Sequence, residues 1–293
     1  MAMLVFVNVM WGLSFIFSKT ALSEGMPPMT LAFLRYLITA GLMLPLCLKL
    51  EHGVRLYEWV PRAFATTLLG ITVYFFFEHS GLQRTTASAA SLIVSLVPMM
   101  TLLFRVCFCR ERISLTRWMA VVLSLVGAYL VIVTGSEVGG SSLTGNLLMV
   151  GASLCWTGYI LTTPKLLESC SSLRVSTWQA LAAVVTLAAV VTLAPFALAE
   201  RGQWVCVSPV AWLCIVLLAA VCSALCYVLY NLAMRVVDSL TVSLSINLNP
   251  ITACVAGALL LGEQLTGMQL AGGILIVLSM VVDTFATRDA KRP

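Results

Sequence analysis

The sequence has little charge: 10% of its 293 residues are Asp, Glu, Lys or Arg, and only two are histidine. A soluble domain carries about 25% charged residues, because its whole surface faces water. The scarcity of charge excludes a soluble enzyme, a disordered chain and a nucleic-acid-binding protein. The net charge of +5 does not indicate a phosphate-binding patch either, since the basic residues lie in short gaps between apolar runs.

Disulfide and metal-site patterns are also lacking. Most of the ten cysteines fall inside apolar runs, where a thiol behaves as a small hydrophobe. The pairs Cys107/Cys109 and Cys222/Cys226 have spacings that a metal site could use, but the chain offers only two histidines to complete one. We therefore predict no metal site and no cofactor.

Apolar residues dominate instead: 60% of the chain is hydrophobic and its mean hydropathy is +1.02. A membrane helix needs about 20 apolar residues, and the sequence contains ten such segments separated by short gaps. Backbone polar groups in lipid must be hydrogen-bonded within their own segment, so each segment is predicted to be a helix. The segments are Met3–Leu22, Met29–Leu48, Trp59–Ser80, Ala87–Cys107, Leu115–Thr134, Thr144–Leu166, Val175–Ala197, Pro209–Leu232, Leu240–Leu261 and Gly267–Phe285.

The distribution of basic residues predicts the orientation. With ten spans, thirteen of the 17 basic residues fall on the side of the two termini. Arg84 and Arg201 fall on the other side, and Lys19 and Arg35 lie within spans. Because basic loops stay in the cytoplasm, both termini are expected to be cytoplasmic. The expected location of this multi-pass protein is a bacterial inner (plasma) membrane.

The two halves of the chain resemble each other. At a shift of 152 residues, Pro98 aligns with Pro250 and Glu111 with Glu263. Small or polar residues recur on one face of the fourth and ninth spans at the same shift, which predicts matched packing seams. They are Ala87, Ser91 and Ser95 in the first half and Ser239, Ser243 and Asn247 in the second.

A further match, Trp11 with Trp156, has a shift of 145, and Arg35 falls near Gln179. Each half has five spans, an odd number, so the second half enters the membrane from the opposite side. We therefore predict an all-α integral membrane protein with ten transmembrane helices. They form two inverted five-helix repeats, residues 1–137 and 138–293, around a central cavity. Inverted repeats are typical of secondary transporters, although a symmetric bundle without transport would have the same pattern.

Taken in order, these residues resemble the drug/metabolite transporter superfamily, and within it the EamA-type exporters. The resemblance implies ten helices, alternating access and export of an amino acid or another small metabolite. It departs from the family pattern in the seventh span, where Trp178-Gln179 stands in place of a second Leu-Arg pair. The motifs that carry it are Asn8-Val-Met-Trp11-Gly12 with Lys19, Phe33-Leu34-Arg35-Tyr36, Pro98 with Arg110-Glu111-Arg112, and Asn249-Pro250 with Gly262-Glu263-Gln264.

Four titratable residues fall in the outer half of the first repeat: Lys19, Arg35, Glu78 and His79. Charge inside a span is costly, so it usually has a partner or a function. Glu78 could neutralise Lys19 or Arg35, and two cations with one anion leave one positive charge for a substrate carboxylate or phosphate. Glu78 and His79 are also the acid–base pair of a span, so proton antiport could use either. The alternative for Lys19, Glu78 and His79 is that they only reach toward the lipid headgroups.

Aromatic and amide side chains supply the other candidates for the cavity wall, although Trp and Tyr also form interfacial belts. Pro98 and Pro250 are expected to kink their spans, either as gating points or as static bends. The predicted wall residues are Trp11, Tyr36, Trp156, Tyr159, Trp178, Gln179, Tyr227, Tyr230, Asn231 and Asn247.

Three other functions compete with metabolite export. An antiporter of organophosphates or nucleotide esters would need more cations within the membrane than Lys19 and Arg35. In the second half, only Lys165 is a candidate for such a cation. An intramembrane serine enzyme at Ser14 would need a histidine as its base, and no predicted span after the third contains one, so we predict that the chain is not an enzyme. A membrane assembly factor would lack a polar cavity. The expected partners are lipid and a small molecule, with a coupling proton and a homodimer left open and no nucleic acid.

Overall fold

The structure is a computed structural model that describes residues 2–51, 60–109, 114–132, 141–168, 170–193, 207–236, 245–246 and 248–290. Every regular element in these ranges is helical. The first half contains α1 (Ala2–Ser23), α2 (Pro28–Leu50), α3 (Val60–Thr67), α4 (Tyr74–Leu82), α5 (Ala87–Val94), α6 (Val97–Cys109) and α7 (Leu115–Ile132). The second contains α8 (Leu143–Thr162), α9 (Pro164–Leu167), α10 (Ser172–Leu193), α11 (Pro209–Leu217), α12 (Cys226–Val236), α13 (Leu248–Leu260) and α14 (Gly267–Ala290).

Two helical runs contain a π-helical segment that the sequence does not predict. Leu68–Val73 joins α3 to α4, and Leu218–Leu225 joins α11 to α12. The two segments lie about one repeat apart, in the predicted third and eighth spans. A π-helical segment rotates the side chains that follow it, and such segments are frequent at functional sites.

Helix starts follow local capping chemistry. The Thr86 hydroxyl accepts a hydrogen bond from the Ala89 N–H at the start of α5, over 3.1 Å. The Ser142 hydroxyl does the same for the Gly145 N–H in α8, and the Ser208 hydroxyl for the Ala211 N–H in α11. These side chains satisfy N–H groups that have no partner within the helix, which stabilises each start by about 1 kcal/mol.

The fourth predicted span is divided rather than merely kinked. The α5 helix ends at Val94, and α6 begins at Val97 with Pro98 as its second residue. A proline fits the first turn of a helix, where its missing N–H has no partner to lose, so the break lies before the proline. Pro250 is likewise the third residue of α13.

In the part of the chain that the structure describes, six helical runs are long and apolar enough to cross a membrane: Ala2–Ser23, Pro28–Leu50, Ala87–Phe104, Leu143–Leu167, Ser172–Thr192 and Pro209–Val236. Leu115–Val131, Leu248–Leu260 and Gly267–Ser279 are shorter apolar helices. Large apolar side chains are exposed along the outside of the bundle, for example Leu125 in α7 and Ile274 in α14. An apolar exterior of this kind suits lipid rather than water.

Small residues let the helices approach closely. Where α7 crosses α14, a Cβ atom on Gly127 would lie 2.6 Å from the Gly272 carbonyl oxygen, and a Cβ atom on Gly272 would lie 2.6 Å from the Gly127 carbonyl oxygen. The predicted seam of Ala87, Ser91 and Ser95 is fully buried. Its predicted counterpart, Ser239, Ser243 and Asn247, lies outside the described residues.

Candidate functional site

A small cavity of about 40 Å³ lies between helices of both halves. The wall combines aromatic rings with a few polar groups, which is the usual composition of a small-molecule site. Its volume is enough for a few water molecules and far below the several hundred Å³ of typical ligand pockets. The lining residues are Trp11, Ser14, Phe15, Arg35, Tyr74, Phe75, Glu78, Val94, Trp156, Tyr227, Ile246 and Asn249.

The two tryptophans at matched positions of the repeat meet in this wall. The ring centroids of Trp11 and Trp156 lie 5.4 Å apart in an edge-to-face arrangement. Trp11 also contacts Tyr227 and Tyr230, with centroids 5.7 and 4.7 Å away. The Trp11 indole N–H donates to the Cys222 carbonyl over 3.0 Å, which fixes the ring. These contacts join the two halves through an aromatic cluster.

Arg35 brings a buried positive charge to the cavity. Its side chain is 2% exposed, its Nε donates to the Ser223 hydroxyl over 2.7 Å, and its guanidinium lies 4.6 Å from the centre of the Phe75 ring. Within the described residues, its Nη1 has no hydrogen-bond partner. An arginine stays protonated even when buried, so this donor remains available to a ligand in the cavity.

Glu78 lines the same cavity and is also 2% exposed. Among the described residues, Glu78 makes no direct ion pair within 4.0 Å with Lys19 or Arg35, and its Oε2 has no hydrogen-bond partner. The Lys19 ammonium instead donates to the Leu82 and Thr85 carbonyls over 2.5 and 2.7 Å. Carbonyl groups at the end of α4 satisfy the lysine, so the carboxylate is left to the cavity.

His79 lies behind the wall rather than in it. Its ring is fully buried, its Nδ1 is 3.0 Å from the Pro28 carbonyl oxygen, and the ring packs 5.0 Å from Phe75. Tyr36 is similarly placed, with ring centroids 5.6 Å from Phe75 and 6.4 Å from Tyr227. Both residues support the wall from outside.

Three other predicted residues form a buried polar network next to the cavity. The Tyr159 hydroxyl lies 3.1 Å from the Gln179 Oε1 and 3.3 Å from the Asn231 Oδ1, and can donate to either. The Gln179 amide donates to the Thr66 hydroxyl, and the Asn231 amide to the Ser176 hydroxyl. The Tyr159 ring stacks on Trp156, so the network backs the aromatic wall.

The structure thus brings five of the predicted site residues into the lining of this cavity: Trp11, Arg35, Glu78, Trp156 and Tyr227. Tyr36, His79, Tyr159, Gln179, Tyr230 and Asn231 lie behind the lining, and Lys19 and Trp178 lie apart from it. Asn247 lies outside the described residues.

The sequence reasoning missed several lining residues and the partner of Arg35. The missed lining residues are Ser14, Phe15, Tyr74, Phe75, Val94, Ile246 and Asn249, and the missed partner is Ser223. The repeat carried a usable signal, because the same shift of 152 aligns Phe75 with Tyr227. For Ser223 the sequence carried no signal.

Comparison with known proteins agrees with the resemblance. Residues 1–133 and 143–284 match the EamA-like transporter family. The chain belongs to that family. This EamA-like chain is therefore a multi-pass membrane protein of the drug/metabolite transporter superfamily, in a family of transporters rather than enzymes.

Two similar proteins from Salmonella typhimurium are named as an efflux pump and an exporter. A probable amino-acid metabolite efflux pump is 24% identical, over 96% of the EamA-like chain and 93% of the pump. The threonine/homoserine exporter RhtA is 28% identical, over 57% of the EamA-like chain and 54% of the exporter. A solved crystal structure with 18% identity superposes with a TM-score of 0.65 and covers 98% of this chain and 99% of that one, which shows a shared fold.

Proposed function

We propose that this protein is a secondary-active exporter of an amino acid or a related small metabolite, and that it works by alternating access. Ten transmembrane helices form two inverted five-helix repeats, residues 1–137 and 138–293, with both termini in the cytoplasm of a bacterial inner membrane. Family membership and the names of two relatives support export. The shared aromatic cluster supports a cavity at the interface of the repeats.

One observation supports an amino acid as the class of substrate. Arg35 and Glu78 line one cavity, and neither is neutralised by a direct ion pair within the described part of the chain. A guanidinium binds a carboxylate well, and a carboxylate binds an ammonium group well. An amino-acid zwitterion carries both groups, so the two side chains are complementary to its two ends. The aromatic wall then contacts the side chain of the substrate.

An organophosphate antiporter is less well supported. A phosphate ester needs several cations, whereas the described lining offers Arg35 alone and adds the like charge of Glu78. A non-transporting assembly factor has no need for two buried side chains of opposite charge in a cavity, each with a polar atom that lacks a hydrogen bond in the described structure. We therefore retain the amino-acid exporter as the proposed function.

The volume of the cavity requires a conformational change. About 40 Å³ does not hold an amino acid, so the conformation described here is a narrow one. In an alternating-access cycle the cavity opens to one side of the membrane at a time. The ligand binds preferentially to a conformation in which the cavity is wider. The repeats supply two similar bundles that can exchange these conformations.

We further propose that Glu78 carries a coupling proton. It lines the cavity with an oxygen free of hydrogen bonds in the described structure, whereas His79 is held against the Pro28 carbonyl. A proton and a substrate ammonium would compete for the same carboxylate. Such competition is the basis of antiport, because either ligand can leave only when the other replaces it.

The test of the proposed site uses Arg35→Gln in proteoliposomes. Threonine is the first probe, because one relative is named a threonine/homoserine exporter. Wild-type protein should exchange threonine and discriminate against the corresponding amine, which lacks the carboxylate. The variant should lose at least about tenfold in exchange and lose that discrimination, because a charged hydrogen bond contributes roughly 1.5–3 kcal/mol.

The matched control is Arg235→Gln, which removes an exposed arginine at the far end of α12. It should exchange threonine at the wild-type rate. A panel of the other amino acids, scored by thermal stabilisation, identifies the preferred substrate. If Arg35→Gln folds and keeps both its exchange rate and its preference for the carboxylate, the proposed binding role is wrong.

A further inference from the structure

The carboxylate of Glu263, just beyond α13, binds the start of α5. The Ala87 N–H donates to Oε1 over 2.7 Å, and the Ser88 N–H donates to Oε2 over 2.9 Å. The Ser88 hydroxyl also donates to Oε2, over 2.7 Å. A carboxylate at a helix start satisfies orphan N–H groups and complements the helix dipole. We name this three-bond contact between the two halves the Glu263 clasp.

The chain around Glu263 is built for this contact. Gly262 has a φ of +65°, a conformation that glycine adopts without strain, and the Glu263 N–H donates to the Gly257 carbonyl over 3.1 Å. A Cβ atom on Gly257 would lie 2.7 Å from the Ser88 hydroxyl and 2.8 Å from the Glu263 Oε2. A side chain at position 257 and the clasp therefore exclude each other.

Lys19 reinforces the same end of the bundle. Its bonds to the Leu82 and Thr85 carbonyls tie α1 to the end of α4, and its ammonium interacts electrostatically with Glu263. The elements joined here also form walls of the cavity: α1, α4, α5 and α13 all contribute lining residues. Separating them at this end would open the cavity.

We propose that the Glu263 clasp is the outer gate of the transporter, closed in this conformation and broken when the cavity opens outward. The inference rests on the proposed alternating access and orientation. The gate is one-sided, because the shift of 152 places Arg105 and Arg110 where the second half has Gly257 and Gly262. The sequence of the first half therefore lacks the two glycines on which the turn and the close approach of the clasp depend in the second half.

The experiment measures access to the cavity without any substrate. Ser14→Cys places a thiol in the lining, and a membrane-impermeant maleimide is added outside right-side-out vesicles. Mass spectrometry of the peptide that contains position 14 separates this thiol from the native cysteines. Adding Glu263→Gln should raise the outside labelling rate by about tenfold, because the amide loses the charge and presents an N–H group to the N–H donors of α5.

Gly257→Ala is the second test, because it keeps the carboxylate and blocks the clasp by its Cβ atom. It should raise outside labelling as well, and it decides the matter if Glu263→Gln fails to insert. Glu24→Gln, which removes an exposed carboxylate beyond the same end of α1, is the control and should leave labelling unchanged.

Unchanged labelling in well-folded clasp variants, or a rise only from the cytoplasmic side, would overturn the outer gate. The labelling experiment tests the gate, and the exchange experiment tests the proposed substrate, so either proposal can be wrong without the other. If the clasp variants label faster while no amino acid is exchanged, the gate stands and the proposed substrate is wrong.

Discussion

At the scale of single residues, the orientation of Arg35 depends on a side chain from the other half of the chain. Ser223 lies in the π-helical segment between α11 and α12 and accepts the hydrogen bond from the Arg35 Nε. The Phe75 ring contacts the guanidinium from the first half. Together these contacts leave the outer part of the guanidinium to the cavity. Ser223 is therefore a positioning residue for the proposed site.

Ser223→Ala should raise the KM for the transported amino acid by about tenfold and change kcat little. It removes a hydrogen bond to a charged group, which contributes roughly 1.5–3 kcal/mol, while Arg35 itself remains. Initial rates over a range of substrate concentrations separate the two parameters. Ser124→Ala removes a buried hydroxyl of α7 outside the lining of the cavity and should change neither. A kcat effect alone in Ser223→Ala would contradict a positioning role.

The residue scale also shows where sequence reasoning succeeds and fails. Trp11 and Trp156 were predicted for the cavity wall because they occupy matched positions well inside their spans, and both lie in the lining. The absence of a direct ion pair of Glu78 within the described residues was not predictable, because depth in the membrane says nothing about which way each helix is rotated. Lys19 found backbone carbonyls at a helix end, and such acceptors leave no signal in the sequence.

At the scale of helices, glycines set the packing of α7 against α14. Gly127 and Gly272 bring the two backbones close enough that either Cβ atom would contact the opposite carbonyl oxygen. Close approach increases van der Waals contact, which is a main source of helix association in lipid. The pair of helices therefore depends on having no side chain at these two positions.

Gly127→Ala should lower the free energy of unfolding by about 1–3 kcal/mol, since it forces the two helices apart. The measurement is the melting temperature of purified protein in detergent. Gly41→Ala is the matched control: it lies within α2, and a Cβ atom there meets nothing within 4 Å. The control should be neutral or slightly stabilising, because alanine favours a helix over glycine. Equal melting temperatures for the two variants would remove the packing role of Gly127.

Helix positions were largely predictable, and interruptions were not. The segment Met3–Leu22 corresponds to α1 and Met29–Leu48 to α2, because long apolar runs must bond their own backbone in lipid. The π-helical segments have no such signature, since their residues are as apolar as their neighbours. The division between α5 and α6 was only partly predictable, because Pro98 predicts an interruption of the helix but not the side of the proline on which the helix ends.

At the scale of the whole molecule, the charges of the described cavity are unevenly divided between the halves. Arg35 and Glu78 both come from the first half, while Trp156 and Tyr227 come from the second. At the repeat position of Arg35 the second half offers Gln179, which is already satisfied by Thr66 and Tyr159. The charged groups of the described cavity thus come from one half of the chain, so the charged groups of the substrate and the proton are both expected to bind to the first half.

Proton coupling is a property of the whole cycle, and an imposed pH gradient tests it. Vesicles that contain wild-type protein should accumulate threonine when the pH gradient drives protons out of the vesicle, because in antiport the proton and the substrate move in opposite directions. Glu78→Gln should transport more weakly and independently of the gradient, because an amide accepts a hydrogen bond but takes up no proton. Glu24→Gln should behave as the wild type. Accumulation by Glu78→Gln equal to that of the wild type would exclude Glu78 as the proton site.

The narrowness of the cavity has a pharmacological consequence. A compound small enough to fit in the narrow cavity is no larger than a few water molecules. An effective inhibitor must therefore bind an open conformation and prevent it from closing. A bulky zwitterion with an aromatic tail, too large to be enclosed, would hold the protein open on the side from which it entered. Such blockers should act from one face of the membrane only, and their potency should fall as the tail is shortened.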